Sequence, residues 1–301
     1  MSILVVGSIV LDTVRSPYGE AENALGGSAI YFAGAASRFT EVRLVGVVGE
    51  DFPEEGRRFL TDRKVDLEGL RTVPGETFAY ECEYGWNPND RTTIDTRLNV
   101  FENFHPELPE RYRRTPTLFL GNIAPVLQEE VLDQMEGPRH VAADSMNLWI
   151  QGDRPGLERL LRRVDTLFLN DAEAMELTGE KNLVKAIRRV TEFGPTTVVA
   201  KKGEHGAVLY RNGSFFVVPA YPVETVRDPT GGGDAFAGGV LGRLAGGGGV
   251  DDASFREAML HGTAIASFVV EDFGPRRLES LTDEEYEERV RTIRSMITLS
   301  P

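Results

Sequence analysis

Cysteine occurs once in the 301 residues, at Cys82, which excludes an intramolecular disulfide framework and any multi-cysteine zinc site. Histidine is nearly as scarce. His105, His140, His205 and His261 are scattered, with no HExxH-type spacing that would set two of them on one helix face. An excess of positive charge is missing as well: the formal net charge of -14 argues against nucleic acid or an anionic membrane surface as the main partner. A local site can still oppose the global sign and take an anionic ligand. No stretch approaches the roughly 18 apolar residues that span a bilayer. The opening MSILVVGSIVLD has no basic leader, and Asp12 ends its apolar run early. The expectation is a soluble protein of a reducing compartment, most simply the cytoplasm.

What the chain does contain is alternation. Short β-branched runs are expected as strands at 3–6, 42–48, 117–120, 141–143, 166–169 and 197–200. Amphipathic segments at 28–39, 54–64, 127–135, 156–164, 171–177 and 183–193 separate or follow them, and Pro53 suits a first helical turn. Such alternation predicts an α/β fold, a parallel sheet covered on both faces. Two polar, turn-rich segments, 13–26 and 76–104, break the rhythm. The period-two pattern of Phe78-Ala-Tyr80-Glu-Cys82-Glu-Tyr84 predicts a small, half-exposed β layer that could act as a lid. An uncovered sheet face of this kind could also pair two copies into a homodimer. The last third reads as helices at 233–244, 251–270 and 282–296, with Gly246–Gly249 as a flexible surface loop. No linker divides the chain, so 1–301 reads as one domain.

The most informative stretch is Arg227-Asp-Pro-Thr-Gly-Gly-Gly-Asp-Ala-Phe-Ala-Gly-Gly239. Pro229 and the glycines prevent regular structure, while the residues from Ala235 onward form helix well. The loop therefore feeds a helix N-terminus, where unpaired N–H groups and the helix dipole favour an anion. Gly231, Gly232 and Gly233 let the backbone approach that anion closely. Asp234 stands where the helix starts. An anion cradle beside a carboxylate suits phosphoryl transfer, the cradle stabilising the transferring group and the carboxylate taking the proton of an attacking hydroxyl. The helix end is expected to keep Asp234 ionised, hence a weak base. A carboxylate such as that of Asp12, if placed at a strand's carboxyl end, could accept two hydrogen bonds from a vicinal diol.

The run DPTGGGDAFAGG resembles the C-terminal signature of the ribokinase-like, or PfkB, family of carbohydrate and nucleoside kinases, with Gly232 where alanine is usual. Further resemblances follow in order along essentially the whole chain. Gly7-Ser-Ile-Val-Leu-Asp12 is similar to the family's first strand, whose aspartate binds substrate hydroxyls. Gly26-Gly27 is similar to its di-glycine motif against the sugar, although Tyr31 stands where asparagine is frequent and Ser28 where ribokinase has lysine. Asn170-Asp-Ala-Glu173 resembles the NxxE motif, which implies Asn170 near the nucleotide phosphates and Glu173 organising Mg²⁺ through water. Lys202-Gly-Glu-His-Gly206 resembles the segment bordering ATP, which implies contacts from Lys202, Gly203 and Gly206; of Lys201 and Lys202, at least one is expected to be a solvated hairpin residue. The family pattern also implies Thr263 on the adenine side, and Asp228, Thr230 and Gly274 around a monovalent cation, K⁺.

The resemblance thus implies a ribokinase-like central, mostly parallel sheet flanked by helices, with a small β lid, and ATP with Mg²⁺ as cofactors. Asp234 would be the base, Gly231–Gly233 the anion hole, and Asp12, Gly26, Gly27 and Tyr31 the acceptor site. A small sugar or polyol is the first expectation for the acceptor, because Asp12 suits a diol. A nucleoside is the alternative, since Tyr31, Tyr80, Tyr84, Trp86 and Phe101 could stack a base or else pack the lid's own core. Arg91 and Arg97 could serve a phosphosugar. A dehydrogenase lacks its GxGxxG after the first strand. A non-catalytic ligand sensor on the same fold would plausibly have lost Asp12, Glu173 or Asp234, and all three are present.

Overall fold

The central strands of the main sheet are mostly apolar because both of their faces are covered. In the computed structural model, which describes residues 2–298, the strands of that sheet are β1 (Ser2–Val6), β4 (Glu41–Val48), β5 (Asp66–Thr72), β8 (Thr117–Leu120), β9 (His140–Asp144), β10 (Thr166–Asn170), β11 (Thr197–Lys201), β12 (Ala207–Arg211) and β13 (Ser214–Val218). The remaining four strands, β2 (Val10–Ser16), β3 (Gly19–Gly26), β6 (Ala79–Tyr84) and β7 (Arg91–Arg97), form a second sheet. The main order is β13-β12-β11-β10-β9-β8-β1-β4-β5, parallel from β11 to β5 and antiparallel at the β11–β12–β13 edge. β1 pairs with β4 on one side and β8 on the other. The strand order therefore reverses at β1, and open α/β sheets bind ligands beyond the carboxyl ends of the strands at such a reversal.

Alternation along each strand sorts the core into two layers. Ile3, Val5, Phe119, Phe168 and Val199 face one cluster, whereas Leu4, Val6, Leu118, Leu120, Leu167 and Val198 face the other. Helices α1 (Ser28–Ala36), α2 (Glu54–Asp62), α8 (Gly232–Arg243), α9 (Asp252–Val269), α10 (Arg276–Ser280) and α11 (Asp283–Ile297) cover the first. Helices α3 (Pro125–Gln134), α4 (Asn147–Gly152), α5 (Arg154–Leu161), α6 (Asp171–Thr178) and α7 (Leu183–Val190) cover the second. Among the described residues, no helix is long and apolar enough to cross a membrane. α8 lies against its neighbours at backbone distance. A Cβ at Gly238 would stand 2.5 Å from the Phe32 carbonyl oxygen of α1, and one at Gly239 would stand 2.8 Å from the Gly262 Cα of α9.

The second sheet, ordered β3-β2-β6-β7, sits where a lid is expected. It begins at Val10 rather than residue 13, so it includes Asp12. Its small core is Val14, Ala21, Cys82 and Tyr84 against Phe273 from the body, and β7 is exposed throughout. β5, α4 and α10 were not expected from the sequence. β5 carries only Leu67 and Leu70 as large apolar residues, which suffices for an edge strand but gives no clear period. Gly246–Gly249 is not the free loop that its glycines suggest. The chain continues from α8 through a wide π-type turn over Leu244–Gly248, and Gly246 is pressed against the Phe39 carbonyl, where a Cβ would fall at 2.4 Å.

Candidate active site

Gly231 caps α8 with φ +75°, a left-handed conformation that favours glycine. The Tyr31 ring lies flat against it: a Cβ there would come within 2.2–2.3 Å of ring carbons. We therefore expect Gly231→Ala to lose roughly 2–4 kcal/mol of stability through left-handed strain and overpacking, together with most activity. Thermal unfolding and turnover of the purified variant check this. Tyr31 is fully buried and belongs to the core, so it is not a free face for an acceptor's base. It sets the position of the loop instead.

The same loop is braced from below. Asp228 accepts the Thr230 N–H at 2.9 Å and the Gly274 N–H at 3.3 Å, one on each carboxylate oxygen. The three residues expected around a monovalent cation are thus brought together, with the carboxylate engaged by loop amides. Gly232 N–H donates to the Pro229 carbonyl at 3.3 Å, a long bond. Gly233, one residue further into α8, has no carbonyl one turn earlier in the helix to receive its N–H.

Asp234 is half-buried in the first turn. Its carboxyl is pushed up to about 7, first by burial and then by the Asp144 carboxylate, against the pull of the Lys201 ammonium. The expected weak base is therefore corrected. Removal from water and a like charge outweigh the helix end, and Asp234 is poised near neutrality.

Asp12 is 4% exposed and is pushed up further, to about 8. Burial is the main cause, Asp228 adds to it, Arg91 opposes, and Asp234 raises it again. The two carboxyls are therefore close enough to feel each other's charge. Gly26 exists to admit Asp12, since a Cβ would overlap the Asp12 Oδ2 at 1.8 Å. Gly27, at φ +95°, passes so near the Ser8 carbonyl that a Cβ would stand 2.4 Å away. Ser8 and Ser28 exchange backbone-to-hydroxyl bonds of 3.1 and 3.2 Å, fastening the end of β1 to the start of α1.

The adjacent strands β9, β10 and β11 end at one rim. Asn170 pairs with Lys201, and Phe168 with Asp144, which sets Asp144, Asn170 and Lys201 side by side. Asn170 caps α6 by accepting the Glu173 N–H at 2.8 Å, while Glu173 Oε2 accepts the Asn170 N–H at 2.7 Å. This capping box holds Glu173 in place and leaves its other oxygen uncommitted. Burial raises the Glu173 carboxyl to about 7, with Lys201 pulling it down and Asp144 pushing it up. A carboxylate with one free oxygen fits Mg²⁺ held through water, because that ion keeps most of its hydration.

Of the two lysines, Lys201 is the inward one. It ion-pairs with Asp144, and a Cβ on Gly233 would stand 3.1 Å from its Nζ. Lys202 follows at the turn, where its N–H donates to the Gly206 carbonyl at 2.8 Å. Gly203 and Gly206 have φ of +53° and +82°. Thr263 is buried in α9 and donates its hydroxyl to the Met259 carbonyl. Asp144 was not singled out from the sequence, and Lys201 was named only as one of two lysines of which at least one was expected to be solvated. Their signal was position alone, a charged residue just past the carboxyl end of an apolar strand.

Two side-chain hydrogen bonds join the lid to the body over this rim, beside the packing of Phe273. Tyr84 Oη is 3.1 Å from Thr230 Oγ1, and Asn89 Nδ2 donates to Glu204 at 2.8 Å. Arg91, opposite Tyr84 on β7, lies over the Tyr80 ring, and its charge reaches both Asp12 and Glu173.

A model of the "pfkB family carbohydrate kinase" type matches residues 2–281. The chain belongs to the pfkB family. This pfkB protein is 32% identical over 248 residues to the cytidine kinase of Thermococcus kodakarensis, covering 80% of this chain and 87% of that one. Its fold is similar to that of a nucleoside kinase of Burkholderia thailandensis solved in complex with inosine, with TM-score 0.76, 21% identity and coverage of 97% and 98%. It is similar also to a protein described as a ribokinase II of E. coli, solved with ATP and Mg²⁺, with TM-score 0.78, 21% identity and coverage of 97% and 99%. The pfkB protein is accordingly a kinase that uses ATP to phosphorylate an alcohol group of a carbohydrate or nucleoside.

Proposed function

We propose that this pfkB kinase phosphorylates a primary hydroxyl of a nucleoside, with Asp12 holding the ribose diol and Asp234 taking the hydroxyl proton. The observation that carries the reading is that the buried Asp12 carboxyl and the half-buried Asp234 carboxyl lie near enough to act on each other, at the reversal of strand order. A ribose offers the vicinal diol that Asp12 suits, and the cytidine kinase relative spans most of both chains. In the step itself, Asp234 accepts the proton as the acceptor oxygen attacks. The N–H groups at the start of α8 meet the charge on the phosphoryl oxygens. Glu173 would hold Mg²⁺ through water, which supplies neutralisation of phosphate charge when bound. Lys202, Gly203, Gly206, Asn170 and Thr263 remain the residues proposed to border the nucleotide, and Asp228, Thr230 and Gly274 those proposed for K⁺.

One observation favours a free sugar or polyol as a second reading. Phe101 is stacked between Phe78 and Phe104, Tyr84 is in the lid core, Tyr31 is buried and Arg91 lies over Tyr80, which leaves the 81%-exposed Trp86 as the open face for a base among these aromatics. A phosphorylation panel of cytidine, inosine, ribose, fructose and inositol with ATP–Mg²⁺, in K⁺ and in choline buffers, separates the two. We expect kcat/KM for at least one nucleoside to exceed every free sugar by about 100-fold, the worth of two or three hydrogen bonds. A free sugar or inositol outrunning all nucleosides rejects the first reading and establishes the second.

A further inference from the structure

The ammonium of Lys201 is built into the rim without being used up by the protein. Its single hydrogen-bond acceptor among the described residues is the Asp144 carboxylate. An ammonium carries three N–H donors, so two are unspent. The two partners are also unequally placed. The Asp144 side chain is 4% exposed and that of Lys201 20%, so the carboxylate anchors from within while the cation is the more open of the two. The lysine stem runs along Gly233, with Cδ and Nζ 3.4 and 3.1 Å from where a Cβ would be. Glycine at 233 thus clears a path for the lysine as well as for an anion. Ser145 N–H donates to the other Asp144 oxygen at 2.9 Å, which fixes the carboxylate and through it the lysine.

The charges around Lys201 point the same way. Asp144, Glu173 and Asp234 surround it and hold it protonated, although burial acts in the opposite direction. An ion pair serving only to join β9 to β11 would be better buried on both sides, with every donor satisfied, because an uncommitted donor in a crevice adds no stability. A phosphoryl group at the start of α8 would meet the helix amides on one side and Lys201 on the other.

Resting on the kinase reading with the phosphoryl group at the α8 N-terminus, we infer that Lys201 is a further catalytic residue, whose ammonium contacts the oxygens of the phosphoryl group in transit, and that Asp144 is its positioning residue. As the acceptor oxygen bonds to the γ-phosphorus, its proton passes to Asp234. The bond from that phosphorus to the bridging oxygen breaks, and ADP leaves with the electron pair. Lys201 keeps its protons throughout and neutralises charge that is greatest midway.

The experiment compares Lys201→Met, Lys201→Arg, Asp144→Asn and the double variant Lys201→Met/Asp144→Asn with the wild-type protein. It measures kcat, KM for ATP, and the affinities for ADP and for ADP with aluminium fluoride, a mimic of the transferring group. We expect Lys201→Met to lower kcat by about 10²–10³-fold, with aluminium-fluoride affinity falling in parallel and ADP affinity within about threefold of wild type. Lys201→Arg should recover at least tenfold of the loss, because a cation returns to the same place. Asp144→Asn should lower kcat less than Lys201→Met and leave ADP affinity alone. The double variant removes the unpaired buried carboxylate, so it should fold normally and stay as slow as Lys201→Met. Recovery of the double variant to near wild-type turnover would show the pair to be structural and overturn the inference. So would a Lys201→Met protein within about fivefold of wild type, or one whose ADP and aluminium-fluoride affinities fall equally. Active Lys201→Met beside inactive Asp234→Asn refutes the lysine alone; active Asp234→Asn refutes the placement of the phosphoryl group itself.

Discussion

Asp234→Asn is expected to lower kcat by about 10²–10⁴-fold, the usual worth of a general base, while the protein folds and still binds nucleotide. The amide keeps the shape of the carboxylate and the turn around it, but has no basic oxygen to receive the hydroxyl proton. The pH profile offers a sharper readout than the size of the loss. Because burial and Asp144 bring Asp234 to about 7, wild-type turnover rises with pH through that value as the base loses its proton. The residual activity of the variant should lack this limb. Stability moves in the opposite sense. A carboxyl raised in the folded protein holds its proton where the unfolded chain has lost it, so its contribution is full below about pH 4 and declines as pH rises toward 7. Asp234→Asn removes that decline. Steady-state rates from pH 5.5 to 8.5, with thermal unfolding in the same buffers, test both; most of the activity surviving would refute the base assignment.

Asp12→Asn is expected to separate binding from stability even more plainly. Asp12 gives up its proton as the diol binds, and the carboxylate then accepts both diol hydrogens, whereas an amide has one acceptor and presents N–H groups to the other hydroxyl. Two charge-assisted bonds at stake give a loss of about 10²–10⁴-fold in kcat/KM for the acceptor, with KM for ATP little changed. The ligand-free variant should nevertheless melt several degrees higher than the wild type at pH 7–8. Asp12 is raised to about 8, chiefly by burial and then by Asp228. Each tenfold weakening of an acid corresponds to about 1.4 kcal/mol, so this carboxyl alone withdraws on the order of 4 kcal/mol at pH 7. The loss builds from about pH 4 toward 8, and the two melting curves should converge in acid. A variant no more stable than wild type at pH 8 would show that Asp12 is not held among like charges in a dry site.

The central architecture was legible because its signals are local. The buried strands of the parallel sheet are short apolar runs, and Asn170 and Glu173 spell a capping box within four residues. The DPTGGGD run likewise declared a helix start with glycines and a carboxylate beside it. What stayed hidden depends on register and on distance along the chain. Lys201 and Lys202 look alike in sequence, and only the pairing of β11 with β10 sends the first inward. Asp144 meets Lys201 across 57 positions, and Tyr31 meets Gly231 across 200. Tyr31 was left open between stacking a base and packing a core, because nothing local says that a tyrosine will spend its face on a glycine. The acidity of Asp234 was misjudged for a related reason: the helix end can be read locally, whereas the carboxylates that oppose it arrive from other strands.

Gly238 and Gly239 hold α8 at backbone distance from α1 on one flank and α9 on the other. Backbones that meet without side chains between them have no compressible layer through which to slide. Turnover should therefore leave α8 where it is, and any opening that admits the acceptor falls to the four-stranded sheet, whose fastenings over the rim include two slender polar links at Tyr84 and Asn89. The expected result is a division of labour, in which the body with α8 stands still while the small sheet moves and brings Asp12 to the acceptor.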